Sequence, residues 1–471
     1  MPDSPCNSGL AHALALCGAL LLASSPAHAA DNAGWGSYRK PFAASSPWNS
    51  RPLQPVFGDF VIPKSTYAPG VAGGEWSTGV FLANAGDQPV TVSGLPKTQG
   101  LWDPDASAFH DVTIPRWPAD VVAATASDGH ADIVDPVTGI VHSFWQLKKL
   151  DGKWVAAQYA WTKLNGRGWG DPAHYFQGAR AAGVATAGGL IRKHEVNDGD
   201  VMYRHALALS LTYNALSAQP TYVFPATSAD TDAATTNTGK VPEGALLMLP
   251  PSYDTSKIAS PELRKVAETL KTYGAYVVDR NFGTPFFIYV ENGAGFDLHK
   301  GGWNNEVAND LERMRVALRQ VVSAQGWLDG NGKPVTLQKK MNLLSMRGPW
   351  QLQSGGTLGN FDTWKQAVVF PANEQAVTQV NYSSRGLHPV SWALPQAGKN
   401  YRVTARTSGG AKLRLQVRDP SGTPLYFDSG ELQQGESKTF AWPDPRAIVT
   451  VYATSGVGSA STVSGELVEQ D

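Results

Sequence analysis

The stretch from Gly188 to Leu211 reads GGLIRKHEVNDGDVMYRHALALSL and concentrates groups that can move protons. Arg192, His194 and Glu195 precede an Asp198-Gly199-Asp200 turn, after which Tyr203, Arg204 and His205 enter an apolar run. Read as a strand over Val201 to Leu211, that run sets Val201, Tyr203, His205, Leu207 and Leu209 on one face and Met202, Arg204, Ala206 and Ala208 on the other. An imidazole and a phenol in an apolar row are costly unless they are hydrogen-bonded or face a cleft, which makes the segment a candidate active-site floor. The competing reading is a satisfied core histidine beside a surface arginine.

A second group lies earlier in the chain. Asp128, His130, Asp132 and Asp135 lead into Asp135-Pro136-Val137-Thr138-Gly139, and His142 and Trp145 follow on the return. The turn chemistry predicts a hairpin of two antiparallel strands. With its turn centred near Val137, His142 falls opposite Asp132, and both share a face with His130. An aspartate beside a histidine sets the tautomer and raises the basicity of the ring, as a general acid or base requires. Asp135 reads as a turn residue and Asp128 as a loop cap.

Other chemistries are missing their signatures. His130, His142, His194 and His205 form no HExxH or HxH, and Asp198, Asp200, Asp230 and Asp232 match no calcium loop, so no metal is expected. There is no GxSxG elbow, no SxxK with a partner and no phosphate-cradling glycine loop, and no cofactor is expected either. Acid/base chemistry remains.

The chain of 471 residues carries 39 Lys plus Arg against 40 Asp plus Glu, so no basic face is offered to nucleic acid. Charged residues are 17%, whereas Gly 48, Pro 32, Trp 15 and Tyr 15 favour short strands, turns and aromatic surfaces. An apolar run from Ala11 to Ala23, then Ser24-Ser25-Pro26 and Ala27-His28-Ala29, has the layout of a secretory signal cleaved after Ala29, although no Lys or Arg precedes it. The run is too short for a membrane span, and the expected location is secreted or periplasmic. Cys6 and Cys17 both lie in this signal, which leaves the mature chain without disulfide, thiolate ligand or cysteine nucleophile.

These groups need elements to position them. Strand-like runs such as Val80-Phe81-Leu82 and Val90-Thr91-Val92 occupy a turn-rich region up to Pro118. Helices are predicted after Ser260-Pro261-Glu262, with Leu263, Val266, Ala267 and Leu270 in register, and along Val307, Leu311, Met314, Leu318 and Val321. Between them Ala275 to Val278 and Phe286 to Val290 read as buried strands, with the helices packed outside a β-sandwich. Beyond Pro371 the helical period disappears. The expected architecture is mainly β: a signal over 1–29, a jelly-roll-like β-sandwich catalytic domain over 30–370 with a few peripheral helices, and a small C-terminal β-sandwich accessory domain over 371–471. In the last, Trp392, Tyr401, Tyr426 and Trp442 read as core aromatics ahead of a glycan-stacking platform.

Gly189-Leu190-Ile191-Arg192, Glu195-Val196, Gly199 and His205-Ala206-Leu207, with Tyr222 to Ala226, Pro242-Glu243-Gly244-Ala245 and Leu270 to Ala275 followed by Asp279, form a set of motifs. Pro47-Trp48-Asn49, Asp128-Gly129-His130 and Phe144-Trp145 belong to the same set. Over roughly Pro41 to Glu291 the chain resembles a broad family of secreted bacterial β-rich proteins. The resemblance implies a shared architecture, carbohydrate activity and a shared site at Asp128, His130, Arg192, Glu195, His205, Lys271, Tyr273 and Asp279, without a defined reaction. Similar sequences carry an acid just before the Phe-Trp pair, where this chain has Ser143.

The expectation is a secreted enzyme that cleaves a polysaccharide, because sugars stack on Trp and Tyr and bond to polar side chains. A glycoside hydrolase needs two carboxyls, supplied here by Glu195 and Asp132, with His205 and His130 transferring or orienting protons. Arg192, Tyr203, Trp145, Asp128, Lys271, Tyr273 and Asp279 would contact substrate. A polysaccharide lyase acting on uronic acids is the alternative, with Arg192 or Arg204 neutralising the substrate carboxylate; a glycan-binding or envelope protein without catalysis is the third. All three require the hairpin near residue 130 and the strand near residue 205 to meet in one groove.

Overall fold

A computed structural model describes residues 34–381, 386–388 and 390–471; the expected signal over 1–29, with both cysteines, lies outside them. The chain is mainly β, built from several sheets with, among the described residues, two helices longer than one turn, Pro261–Thr272 and Asn305–Ala317. Among the described residues no helix is long and apolar enough to cross a membrane.

A seven-stranded mixed sheet forms the centre, in the order Val56–Phe57, Arg319–Ser323, Leu246–Met248, Ala275–Asn281, Leu207–Thr212, Phe286–Tyr289 and Gly70–Ala72. Its middle strands are apolar on both faces, as a strand covered on both sides must be. Leu207, Leu209, Leu211, Val277 and Ile288 point toward the helices, meeting Leu263, Val266, Leu270, Val307, Leu311 and Met314. Ala208, Tyr276, Val278 and Tyr289 point the other way, onto Trp48, Trp169, Leu190, Val80, Val134 and Val141. Those last three valines belong to a six-stranded sheet containing Gly79–Leu82, Ala131–Asp135, Ile140–Trp145 and Gln158–Lys163. The two sheets make a sandwich with the helices outside, as the sequence suggests. On its outer face the six-stranded sheet buries Ile133, Phe144, Tyr159 and Trp161 with Val92 and Ile114 of a four-stranded sheet.

The helix Pro261–Thr272 starts where its sequence says. Ser260 Oγ accepts the Leu263 N–H at 3.2 Å, and Pro261, which lacks an N–H, opens the first turn. The second helix ends at Ala317, because Leu318 is already extended at ψ 133; Val321 therefore sits in the strand Arg319–Ser323 and not on a helical stripe.

Two five-stranded antiparallel sheets form the C-terminal sandwich. Gln351–Ser354, Asn360–Asp362 and Ala367–Phe370 belong to them, so their strands begin upstream of residue 371. Tyr401 and Trp442 lie in the core between the sheets, Trp392 is half-buried with Nε1 donating to the Ala226 carbonyl, and Tyr426 is exposed. Asn342 ties the sandwich to the rest of the chain. Its buried Oδ1 accepts the Leu344 and Leu467 N–H groups at 3.0 and 2.8 Å, Nδ2 donates to the Gly465 carbonyl at 3.0 Å, and its own N–H donates to the Pro172 carbonyl at 2.6 Å. Asn342→Ala leaves two buried backbone donors without acceptors, and urea denaturation of the variant is expected to show a loss of about 2–4 kcal/mol.

Candidate functional site

The segment expected as a strand over Val201 to Leu211 is a strand only from Leu207 to Thr212. Before that the chain is irregular, so the alternation of faces does not extend back: Val201 is exposed, Tyr203 is buried in the helix-side core and His205 points to a cavity. Gly189 makes the path possible. It has φ +67, and a Cβ there would stand 2.3 Å from the Trp48 ring and 2.7 Å from the Ala208 nitrogen. Ile191 then donates its N–H to the Tyr289 carbonyl at 3.1 Å, which holds Arg192 to Glu195 as a turn beside the sheet.

Glu195 and His205 meet in this cavity of about 720 Å³. Glu195 Oε2 accepts the Arg192 N–H at 2.9 Å and a bond from His205 Nε2 at 3.2 Å, while His205 Nδ1 donates to the Ala206 carbonyl at 2.8 Å. An oxygen faces each ring nitrogen, an arrangement that favours the protonated imidazole. Burial alone would raise Glu195, but the charge and hydrogen bond of His205 and the Arg192 N–H outweigh it and hold the carboxyl at about 2. Burial would lower His205, and the Glu195 charge and hydrogen bond reverse that, raising the ring above its ordinary value. The result is an ion pair with no proton vacancy, a poor arrangement for a general base. Lys265, from the helix Pro261–Thr272, fixes the turn by donating to the Glu195 carbonyl at 2.6 Å and to Asp198 at 2.5 Å.

Arg192 lines the same cavity but is already committed. Its Nε pairs with Glu291 at 2.9 Å, Nη1 donates to the Tyr38 carbonyl at 3.0 Å and the guanidinium stacks 4.6 Å from the Tyr38 ring. Tyr273 lines the cavity too, with the Arg51 guanidinium 6.0 Å from its ring. Two expected contacts do not reach it. Tyr203 lies beneath, its ring 4.6 Å from the Lys265 ammonium and its hydroxyl raised by burial, and Lys271 faces Glu268 at 3.9 Å.

The hairpin forms as Ala131–Asp135 and Ile140–Trp145, with a register one residue from the expected one. Asp132 pairs with Ser143, and His142 pairs with Ile133. Asp132 and His142 therefore project to opposite faces. His142 faces the outer core, bonds to the Tyr159 hydroxyl at 2.8 Å and is pushed down to about 4 by burial. Asp132 shares the inner face with Val134, between the two large sheets, where its Oδ2 accepts the Ala187 N–H at 2.7 Å and burial raises its carboxyl. His130 is sealed as well, its Nδ1 donating to the Phe144 carbonyl at 3.3 Å; burial first, then the charge of Arg180, pushes it down to about 3. Neither lines the Glu195–His205 cavity, so Glu195 and Asp132 are not a carboxyl pair flanking one substrate, and His130 is no partner to His205. The reason is the sandwich itself: inner-face residues of the hairpin are covered by the central sheet.

What the hairpin does present is Asp128, at its mouth. Asp128 accepts the Trp145 Nε1 hydrogen at 3.2 Å and opens, together with Asp279, onto a second cleft of about 460 Å³. Exposed Trp76, Tyr67 and Phe282 rim that cleft. Asp279 binds Arg180 Nη1 at 3.2 Å. Burial pushes the Asp279 carboxyl up, Arg180 pulls it back, and Asp230 and Asp128 add to the rise, leaving it at about 7. Arg180, almost wholly buried, stacks 3.8 Å from the Tyr289 ring and lies close enough to bias His130 and Asp132 as well. It is the residue that sequence reasoning missed, although a lone arginine in Gln177-Gly178-Ala179-Arg180-Ala181-Ala182 was its signal.

The two clefts stand toward opposite ends of the same parallel strands. His205 and Tyr273 precede Leu207–Thr212 and Ala275–Asn281, whereas Ser210 and Asp279 lie in their far halves, roughly 16–20 Å further along. One groove does not join them. Among the described residues no group of three or more His, Cys, Asp or Glu is arranged to hold a metal ion.

No protein-family model matches the chain, and no curated protein sequence does. Among solved structures, a carbohydrate-binding module in complex with β-1,4-galactotriose is similar at 17% identity over 26% of this chain and 89% of its own, with a TM-score of 0.17. A family 29 carbohydrate-binding module gives 14% identity over 28% and 91%, TM-score 0.17. Accessory secretory proteins 1, 2 and 3 of Streptococcus pneumoniae give 10% identity over 29% and 99%, TM-score 0.16. Likeness at these TM-scores carries no argument, and function rests on this chain's own geometry.

The Glu195–His205 pair has a measurable consequence. The lowered carboxyl stabilises the fold above the ordinary carboxylate range and loses that contribution as pH falls through about 2; the raised imidazole stabilises below pH ~6.5 and is lost as pH rises through its folded value. Glu195→Gln is therefore expected to cost on the order of 3 kcal/mol near pH 5.5 in urea denaturation, with the difference from wild type shrinking by pH 9.

Proposed function

We propose that the protein is a secreted or periplasmic carbohydrate-active enzyme, a glycoside hydrolase that works in the Asp128–Asp279 cleft. One observation carries the reading: two carboxyls face a single cleft whose rim is exposed aromatic surface, and they differ in environment as an acid and its partner must. Asp279 keeps its proton up to about 7, while Asp128 is held by an indole N–H. Trp76, Tyr67 and Phe282 offer faces on which pyranose rings stack. Asp279 hands its proton to the glycosidic oxygen as the bond from the anomeric carbon breaks. Asp128 assists on the other side, as the base that takes a proton from the attacking water or as the nucleophile that water later displaces. Water supplies hydroxyl to the anomeric carbon, and the released sugar leaves with the proton from Asp279.

In this reading His130 and Asp132 are positioning residues that lie in the field of Arg180, the partner of Asp279. A uronate lyase is separated by its product, since β-elimination leaves an unsaturated end absorbing in the ultraviolet and hydrolysis leaves only a new reducing end. A glycan-binding protein without catalysis yields neither.

Asp279→Asn and Asp128→Asn are each expected to lower reducing-end release from a susceptible polysaccharide by about 10²–10⁴-fold with folding retained, the usual scale for a lost acid or base. Because the acid must be protonated, kcat/KM falls as pH rises through about 7. Asp230 helps raise Asp279, so Asp230→Asn moves that alkaline limb to lower pH. Full activity in Asp279→Asn, or a limb that stays in place in Asp230→Asn, removes Asp279 from the acid role.

A further inference from the structure

The cavity of Glu195 and His205 has no part in that reaction, and its chemistry differs from that of the aromatic cleft. We propose that it is a separate binding site for an acidic oligosaccharide, one whose rings carry carboxylates. Most charge on its wall is internally cancelled: Glu195 by His205, Asp198 by Lys265 at 2.5 Å, Asp200 by Arg204 at 3.2 Å, and Arg192 by Glu291 at 2.9 Å. Lys40 and Arg51 remain, and neither has an ion-pair partner among the described residues. Against these stands Asp329, whose Oδ1 is occupied by the N–H groups of Asn331 and Lys333 at 2.9 and 2.8 Å.

A wall whose surplus is cationic complements an anion. A bare ion would not use the rest of the site. The Lys40 ammonium lies 5.8 Å over the Trp35 ring and the Arg51 guanidinium 6.0 Å over the Tyr273 ring, so the aromatic side chains hold both cations at the wall. A volume of about 720 Å³ suits an oligomer better than a single ion.

The test uses the full chain in calorimetric titrations at low ionic strength with an α-1,4-linked galacturonate trimer, the matching neutral galactose trimer and inorganic phosphate. The galacturonate trimer is expected to bind at least tenfold more tightly than the neutral one, to resist displacement by equimolar phosphate, and to weaken as salt screens the cations. The Lys40→Ala/Arg51→Ala variant weakens it at least tenfold, and Lys40→Glu, at an exposed position, gives the same direction should the double variant unfold. Asp279→Asn binds it as wild type does, which separates this site from the hydrolase reading: failure of catalysis at Asp279 leaves the titration unchanged. Equal affinity for both trimers, displacement by phosphate, unchanged binding in the Lys40 and Arg51 variants, or loss of binding in Asp279→Asn overturns the proposal.

Discussion

The central sheet is buried on both faces, and that constraint governs where charge can exist in this molecule. Toward the helices its side chains are wholly apolar, from Leu207 to Ile288. Toward the six-stranded sheet, however, the layer admits Asp132, His130 and Arg180, each almost inaccessible to water. A charge placed there must find a counter-charge or a hydrogen bond inside the protein. Arg180 meets this demand for several groups at once, pairing with Asp279, stacking on Tyr289 and acting on Asp132 and His130.

The same layer explains why the two clefts differ so strongly. Near the start of Leu207–Thr212 the chain enters from an irregular segment, and the polar groups of that segment close on each other, Glu195 with His205 and Arg192 with Glu291. Mutual neutralisation leaves an ordered wall. At the far end Asp279 shares a single buried arginine with other acids nearby, and desolvation wins, so the carboxyl retains its proton to about 7. Opposite pKa shifts thus arise in two carboxyls set along one sheet, because one has a full partner and the other a shared one.

Much of the architecture was legible in local chemistry. Ser260-Pro261 announces a helix start, Asp135 to Gly139 announces a hairpin, and the apolar period of Val307, Leu311 and Met314 announces a second helix; each of these signals acts over a few residues and needs no distant partner. Glu195 with His205 was recoverable for the same reason, since ten residues and a turn separate them. The pairing of Asp132 with His142 was not, because one residue of register moves a side chain to the other face of a sheet. Trp76, Tyr67 and Phe282, drawn from distant loops, carry no shared local pattern at all.

By itself the sequence determined that this chain is β-rich, that it has no cysteine beyond Cys17 and no metal-binding motif, and which acids, imidazoles and arginines were available, since composition, turn residues and periodicity are local properties. Only the tertiary structure decided which of them face solvent and which face one another. Stacking two sheets sealed His130 and Asp132, left Asp128 and Asp279 half-buried at a cleft, and set them well away from Glu195 and His205. The physical reason is that burial and charge pairing depend on the neighbours brought by strands far apart in the chain, and no spacing within a segment encodes those neighbours.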